Sequence, residues 1–124
     1  MKVRHIKIGV KDLRAVLDEA REAMERIAAG RAVQKIHDIN FTSYEAMRKI
    51  LTPRRLELLH TIKEKNPHSV YELARLLGRD LKNINDDLAI LAKIGLVELR
   101  RTTQGRKKVI PWVTVDKIQV EITV

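Results

Sequence analysis

The chain has 124 residues, a length that fits one domain with a short extension and excludes a large catalytic barrel. Lys and Arg number 25 against 16 Asp and Glu, and this net charge of +9 predicts an anionic partner. Cysteine is absent, which excludes disulfides, thiolate metal sites and Cys nucleophiles and favours a cytoplasmic location.

Hydropathy and aromatic content further restrict the classes of partner that we expect. No apolar run approaches the ~18 residues of a membrane span, so we expect neither a membrane segment nor a signal peptide. One Phe, one Trp and two Tyr are too few for a base-stacking platform. Duplex DNA is therefore expected in preference to single strands.

The N-terminal forty residues change hydrophobic period twice. Alternation over Val3–Val10 predicts a strand. Lys11–Ala29 predicts an amphipathic helix that stops before Gly30, and Val33–Phe41 predicts a second strand. The apolar stripe of this helix consists of Leu13, Val16, Leu17, Ala20, Met24 and Ile27, and we expect a second subunit to cover it.

Capping signals then predict four helices. Thr42 and Glu45 form a capping box for a short helix ending at Leu51, and Thr52 with Pro53 begins a helix that runs to about Lys65. Ser69 and Glu72 form a second capping box, for a helix over Val70–Leu77. Asp80 is the expected cap of a helix over Leu81–Ile94 that stops at Gly95.

The last two helices flank a three-residue turn, Gly78-Arg79-Asp80, which is typical of a helix-turn-helix. Two strands follow, Leu96–Leu99 and Val109–Val115, with a turn at Thr102–Gly105. They predict a hairpin with a basic tip, and Ile118–Val124 alternates as a last strand with one buried face.

These elements predict an α+β fold, a winged helix-turn-helix with an N-terminal strand-helix-strand extension and a C-terminal strand. The predicted boundaries are 1–45 for the extension, used for dimerisation or partner docking, 46–116 for the DNA-binding domain and 117–124 for the last strand. Residues 1–46 carry a net charge of +2 and residues 47–124 carry +7, so the positive excess lies on the predicted DNA-binding part.

We expect the second motif helix, about residues 81–94, to enter the major groove and the wing, about residues 100–108, to follow phosphates or the minor groove. Arg79 at the motif turn is a further candidate contact, and Arg54 and Arg55 are weaker ones with a solubility role as the alternative. The helix and wing candidates are Lys82, Asn83, Asn85, Asp86, Arg100, Arg101, Arg106, Lys107 and Lys108.

Two acids on the motif helix receive different interpretations. Asp86 lies on the outer face, where it can accept from cytosine but is repelled by phosphates. Asp87 lies beside the core stripe and is expected to pair with an arginine such as Arg75. Ile90 on the outer face is either part of an interface or a harmless exposed residue.

The sequence contains no residue pattern that indicates metal binding, nucleophilic catalysis or nucleotide binding. The four histidines lack metal-ligand spacing, and the two serines, Ser43 and Ser69, lie at helix starts where capping explains them. No glycine-rich phosphate loop is present. We therefore expect no enzymatic activity, no cofactor and no metal.

Four segments carry a resemblance to a known family: Leu51–Leu59, Asn66–Ala74, Leu77–Asn83 and Gly95–Val97. Together they resemble small prokaryotic MarR-like winged-helix predicted transcriptional regulators, over about residues 45–110. The resemblance implies DNA binding and a homodimer. This sequence departs from the family at Asn85-Asp86, where a basic pair is common, so the family's helix contacts transfer less directly than its wing contacts.

The resemblance also implies an alternative, because similar proteins are encoded beside toxin genes. An antitoxin, or another protein-interaction module, would use the same scaffold to bind a protein partner such as a toxin. Asp86 and Ile90 favour this alternative, whereas the basic wing favours duplex DNA.

Overall fold

The computed structural model describes residues 4–31, 37–103 and 105–124. Over these ranges the fold is mixed α and β, as predicted, with both parallel and antiparallel strand pairs. In chain order its elements are β1 (His5–Val10), α1 (Leu13–Ala28), β2 (Ile39–Phe41), α2 (Tyr44–Ile50), α3 (Pro53–Lys65), α4 (Val70–Leu77), α5 (Leu81–Lys93), β3 (Val97–Arg101), β4 (Val109–Val113) and β5 (Lys117–Ile122).

The chain forms two compact units. Unit 1 combines residues 1–49 with residues 117–124, because the last strand returns to pair with the first. Unit 2 is the continuous segment 50–116. The predicted second strand, 33–41, is seen as β2 at its C-terminal end, and residues 32–36 lie outside the described ranges.

Unit 1 contains a parallel sheet with the strand order β2-β1-β5. Ile8 is in register with Ile39 on one side and Val120 on the other, and paired residues of neighbouring strands share a face. The face that carries Ile8 is therefore apolar. Its remaining members are Ile6, Val10, Phe41, Ile118 and Ile122.

The opposite face of this sheet is polar around Gly9. The buried side chains of Lys11 and His37 approach to 3.3 Å between Nζ and Nδ1. Lys11 also forms an ion pair with Glu19 of α1, and His37 Nε2 lies 3.5 Å from Glu121. This cluster leaves no room beside Gly9, where an added Cβ would lie 2.8 Å from His37 Nδ1.

Helix α1 begins at the cap residue Asp12, whose Oδ1 accepts from the amide of Ala15 at 2.8 Å. It is followed, as predicted, by Gly30 with a positive φ of 73°. The predicted stripe is largely exposed, because no residue of α1 is fully buried and Leu13, Leu17, Met24 and Ile27 are exposed. Val16 is the one stripe residue that is half-buried, together with Ala15, Glu19 and Ala23 outside the stripe.

Unit 2 begins with helices whose predicted caps are largely confirmed. Thr52 caps α3 by accepting from Arg55 N at 3.2 Å, and Ser69 caps α4 by accepting from Glu72 N at 3.0 Å. Glu72 in turn accepts from the amide of His68, one residue before the cap, where a capping box would use the amide of Ser69 itself. Gly78 ends α4 in the left-handed conformation with a φ of 61°.

Two cap predictions were wrong in detail. The cap of α2 is Ser43, which accepts from Ala46 N at 3.1 Å, and not Thr42 one residue earlier. Asp80 precedes α5 but its side chain forms no capping hydrogen bond. Neighbouring Ser and Thr residues offer equivalent hydroxyls, so the sequence does not distinguish which of the two the backbone selects.

The core of unit 2 joins α3, α4 and α5 to the hairpin formed by β3 and β4. Val97 pairs with Val113 in the antiparallel ladder, and both are buried. No helix among the described residues is long and apolar enough to cross a membrane. The other buried apolar residues of this unit are Leu58, Leu59, Ile62, Val70, Leu73, Ala74, Ile84, Leu88, Leu91 and Leu96.

Candidate nucleic-acid interface

A groove of about 920 Å³ lies in unit 2 between α4, α5 and the hairpin. Its apolar lining includes Val70 and Tyr71 from the start of α4, Leu81 from α5 and Leu99 from β3. Its polar lining is mostly basic and consists of Asn85, Arg101, Arg106, Lys107 and Lys108, together with the capping residue Ser69.

The strand register explains how the hairpin divides its basic residues. Arg101 pairs with Val109 and shares a face with Leu99, the face that turns toward the groove. Arg100 therefore lies on the opposite face. There its guanidinium stacks 4.5 Å from the centroid of the Trp112 ring, and its Nε lies 3.6 Å from Glu98 Oε1.

The connection between β3 and β4 is held by Thr102. Its amide donates to the carbonyl of Lys108 at 3.0 Å, and its hydroxyl accepts from Lys108 N at 2.9 Å. These two hydrogen bonds close the turn, and Arg106, Lys107 and Lys108 line the same groove as Arg101. Among the described residues, none of these four basic side chains forms an ion pair with an acid.

Helix α5 presents the predicted contact residues to solvent. Lys82, Asn83, Asn85 and Asp86 are all exposed, while Ile84 and Leu88 on the other side of the helix are fully buried. Asn85 is the one of these four that lines the groove with the hairpin. Ile90 is half-buried, so it is not a fully exposed apolar residue.

Arg79 occupies a different environment from the other candidates. Its Nη2 lies 2.7 Å from Asp87 Oδ2, and Arg55 Nε lies 3.0 Å from the other oxygen of the same carboxylate. The Arg79 side chain is 16% exposed, and its Nε and Nη1 are buried without a hydrogen-bond partner among the described residues. Asp87 is thus paired as predicted, but with Arg55 and Arg79 where Arg75 was expected.

Sequence reasoning did not identify the apolar part of the groove. Tyr71 and Leu81 stand at helical spacing and resemble core residues, yet they are 64% and 40% exposed. Both lie in the first turn of a helix, next to a cap, where a side chain can project past the packed face. Within the described ranges, no three His, Asp or Glu side chains are grouped as a metal site would require.

Comparisons with known proteins place this region in a family. No curated protein matches the chain. A protein-family model described as HVO_A0114 matches residues 50–120, which is more than half of the chain. The match begins where unit 2 begins and includes α3, α4, α5 and the hairpin. The chain therefore belongs to the HVO_A0114 family.

Proposed function

We propose that unit 2 is a winged helix-turn-helix that binds duplex DNA in a sequence-specific manner and regulates transcription. In this proposal α4 and α5 are the helix-turn-helix and the hairpin is the wing. Helix α5 enters the major groove, and the wing contacts the phosphate backbone. The proposal assigns no chemical reaction to the protein.

The observation that carries the proposal is the set of four basic side chains on one side of the wing. Arg101, Arg106, Lys107 and Lys108 face the same groove as α5 and have no acidic partner among the described residues. Like charges held together without counter-ions repel one another. A polyanion relieves this repulsion and releases its own condensed counterions when it binds.

The exposed face of α5 supplies groups suited to base edges. Asn85 lies beside the wing, and an Asn side chain can form two hydrogen bonds with adenine in the major groove. Lys82 and Asn83 are exposed one turn or less away, near the N-terminal end of the helix. Arg100 and Arg79 contribute differently, since one stacks on Trp112 and the other pairs with Asp87.

A second candidate function, binding of a protein partner as in an antitoxin, is favoured by one observation. Helices α4 and α5 expose the apolar side chains of Tyr71, Leu76 and Leu81, and α5 also exposes the acid Asp86. Apolar side chains of this size gain more from a protein surface than from phosphates. The position of Asp86 makes the two candidates separable.

The experiment selects binding sites from a random duplex pool with the full chain and with two variants. We expect the wild type to enrich one motif. Asn85→Ala relaxes discrimination at one base pair by about 1–3 kcal/mol if this side chain reads a base. Asp86→Ala strengthens binding to scrambled duplex by about 1 kcal/mol, because a charge near the phosphates is removed.

The outcomes distinguish the candidates. Enrichment of a motif, together with a change of scrambled-duplex affinity in Asp86→Ala, supports the regulator. If no motif is enriched and Asp86→Ala leaves duplex affinity unchanged, α5 does not approach DNA. The protein-partner function then accounts better for residues 80–94.

A further inference from the structure

Helix α1 has three distinct faces. The half-buried face contains Ala15, Val16, Glu19 and Ala23, and Glu19 reaches the sheet through its ion pair with Lys11. At about 100° per residue, the apolar stripe lies roughly a quarter-turn from that face. Apart from Val16, which belongs to the half-buried face, the stripe consists of Leu13, Leu17, Ala20, Met24 and Ile27.

The stripe is exposed along its full length. Its four large side chains, Leu13, Leu17, Met24 and Ile27, are 62%, 59%, 70% and 64% exposed. The residues follow at spacings of 4, 3, 4 and 3, a period of 3.5. This is the period at which two helices meet continuously along a seam, whereas packing on the unit's own sheet uses the other face.

The third face is charged and alternates in sign. Arg14, Asp18, Arg21 and Glu25 are all exposed and follow one another along the side of the stripe away from the half-buried face. From the N-terminal end of the helix the charges are plus, minus, plus, minus. From the C-terminal end they are minus, plus, minus, plus. A copy of α1 running in the opposite direction therefore presents the complementary charge at each of the four positions.

We propose that α1 pairs with α1 of a second copy of this chain, antiparallel, through the apolar stripe. With the two-fold axis at Ala20, Leu13 lies beside Ile27 of the second copy and Leu17 beside its Met24. Small Ala20 residues meet at the axis and allow close approach. Arg14 then lies near Glu25 of the second copy and Asp18 near its Arg21.

The direction of pairing follows from the charged face. In an antiparallel pair the same flank of each helix meets its own copy, so the alternating charges attract. In a parallel pair that flank faces the opposite flank of the second helix, where Val16 and Ala23 stand. Only the antiparallel arrangement uses all four charges.

The first test exchanges charges and measures mass by sedimentation of the full chain without DNA, so its outcome is independent of the proposed function. One variant carries Arg14→Glu and Arg21→Glu, the other Asp18→Lys and Glu25→Lys. We expect each alone to dimerise roughly tenfold more weakly than the wild type or worse, because like charges face each other. Mixing the two variants restores dimers of mixed composition.

A matched control is Glu22→Lys, an exposed charge reversal on the same helix away from the stripe, which leaves the dimer unchanged. Circular dichroism verifies that all variants are folded. A wild-type chain that is monomeric at about 10 μM, or exchange variants that dimerise as well alone as when mixed, overturns the proposal.

The second test fixes the register with engineered cysteines, since the chain has none of its own. Under mild oxidation, Ala20→Cys forms a disulfide-linked dimer, because only residues close to the two-fold axis meet their own copy. Leu17→Cys alone does not cross-link but does so when mixed with Met24→Cys. Efficient cross-linking of Leu17→Cys with itself contradicts the antiparallel arrangement.

Discussion

Asp87 holds two arginines from different elements of unit 2. Its oxygens pair separately with Arg55 of α3 and Arg79 of the turn before α5, and Arg55 also donates to the carbonyl of Ile50 at 2.9 Å. All three side chains are at least four-fifths buried. A buried carboxylate of this kind stabilises chiefly by balancing the charge of two buried guanidinium groups, which its removal would leave uncompensated.

We predict that Asp87→Ala lowers the free energy of unfolding by about 3–5 kcal/mol, because Arg55 and Arg79 then remain buried without their partner. Urea unfolding followed by fluorescence measures this change, since the single tryptophan, Trp112, lies in unit 2. The control is Asp86→Ala, which removes the same group from an exposed neighbour and changes stability by less than about 0.5 kcal/mol. Equal effects of the two substitutions would show that the pairing carries no net stability.

Sequence reasoning recognises that Asp87 and Asp86 differ, because helical periodicity separates their faces. It does not find the partners of Asp87. Arg55 is 32 residues away, and Arg79 stands in a turn where exposure is the usual condition. The pairing arises from how α3 and α5 meet, which is a tertiary property that local spacing does not contain.

In the hairpin, the side chains of two adjacent arginines lie on opposite faces because strand residues alternate. Arg101 faces the groove, while Arg100 stacks on Trp112. We predict that Arg101→Ala reduces the slope of log K against log salt for duplex DNA by about 1, as the loss of one phosphate contact requires. Arg100→Ala leaves that slope unchanged and lowers the free energy of unfolding by about 0.5–1 kcal/mol through loss of its aromatic contact.

Fluorescence anisotropy with labelled duplex at several salt concentrations gives both slopes. The two variants remove the same charge from neighbouring positions, so each serves as the other's control. Equal slopes for Arg100→Ala and Arg101→Ala would mean that both faces of the hairpin, or neither, contact phosphates.

Side chains surround Gly9 closely in the sheet of unit 1. A Cβ at this position would lie 2.6 Å from Asn40 Oδ1 and 2.8 Å from His37 Nδ1. We predict that Gly9→Ala lowers the free energy of unfolding by about 1–3 kcal/mol through overpacking. In a background that carries both His37→Ala and Asn40→Ala the same substitution costs less than about 1 kcal/mol, since both obstructing side chains are gone. Far-UV circular dichroism during urea unfolding measures all four members of this mutant cycle, and an unchanged cost in that background would contradict the steric explanation.

Elements with local signals were predicted well from the sequence. The start of α3 at Thr52-Pro53 and the end of α4 at Gly78 are decided by capping and backbone conformation within a few residues. The division of α1 into a half-buried face and an exposed stripe was not, because hydropathy shows that apolar side chains need covering but not which of them the unit's own sheet covers. Half of the candidate site behaves in the same way: the basic wing is visible in the sequence, whereas the groove beside Tyr71 and Leu81 depends on how the helices meet.

The two units expose surfaces of different chemical character. Unit 1 presents the exposed apolar stripe of α1. Unit 2, the region of the HVO_A0114 family match, presents the basic groove. We infer that unit 1 associates with a second copy of the chain and that unit 2 binds DNA. Two copies of unit 2 would then read two half-sites, which raises both affinity and specificity.

The proposed function requires the groove side of the wing to neutralise DNA phosphates, and the salt dependence of duplex binding by the full chain reports this neutralisation. With four phosphate contacts per subunit, from Arg101, Arg106, Lys107 and Lys108, we predict a slope of about −3.6 per subunit in log K against log salt. Replacing Arg106, Lys107 and Lys108 with Ala flattens the slope by up to about 3. A control with Lys7, Arg26 and Lys65 replaced by Ala, which removes three exposed charges elsewhere, leaves the slope unchanged. Binding that is absent at low salt, that does not weaken as salt rises, or whose slope is the same in the wing variant, contradicts this role of the wing.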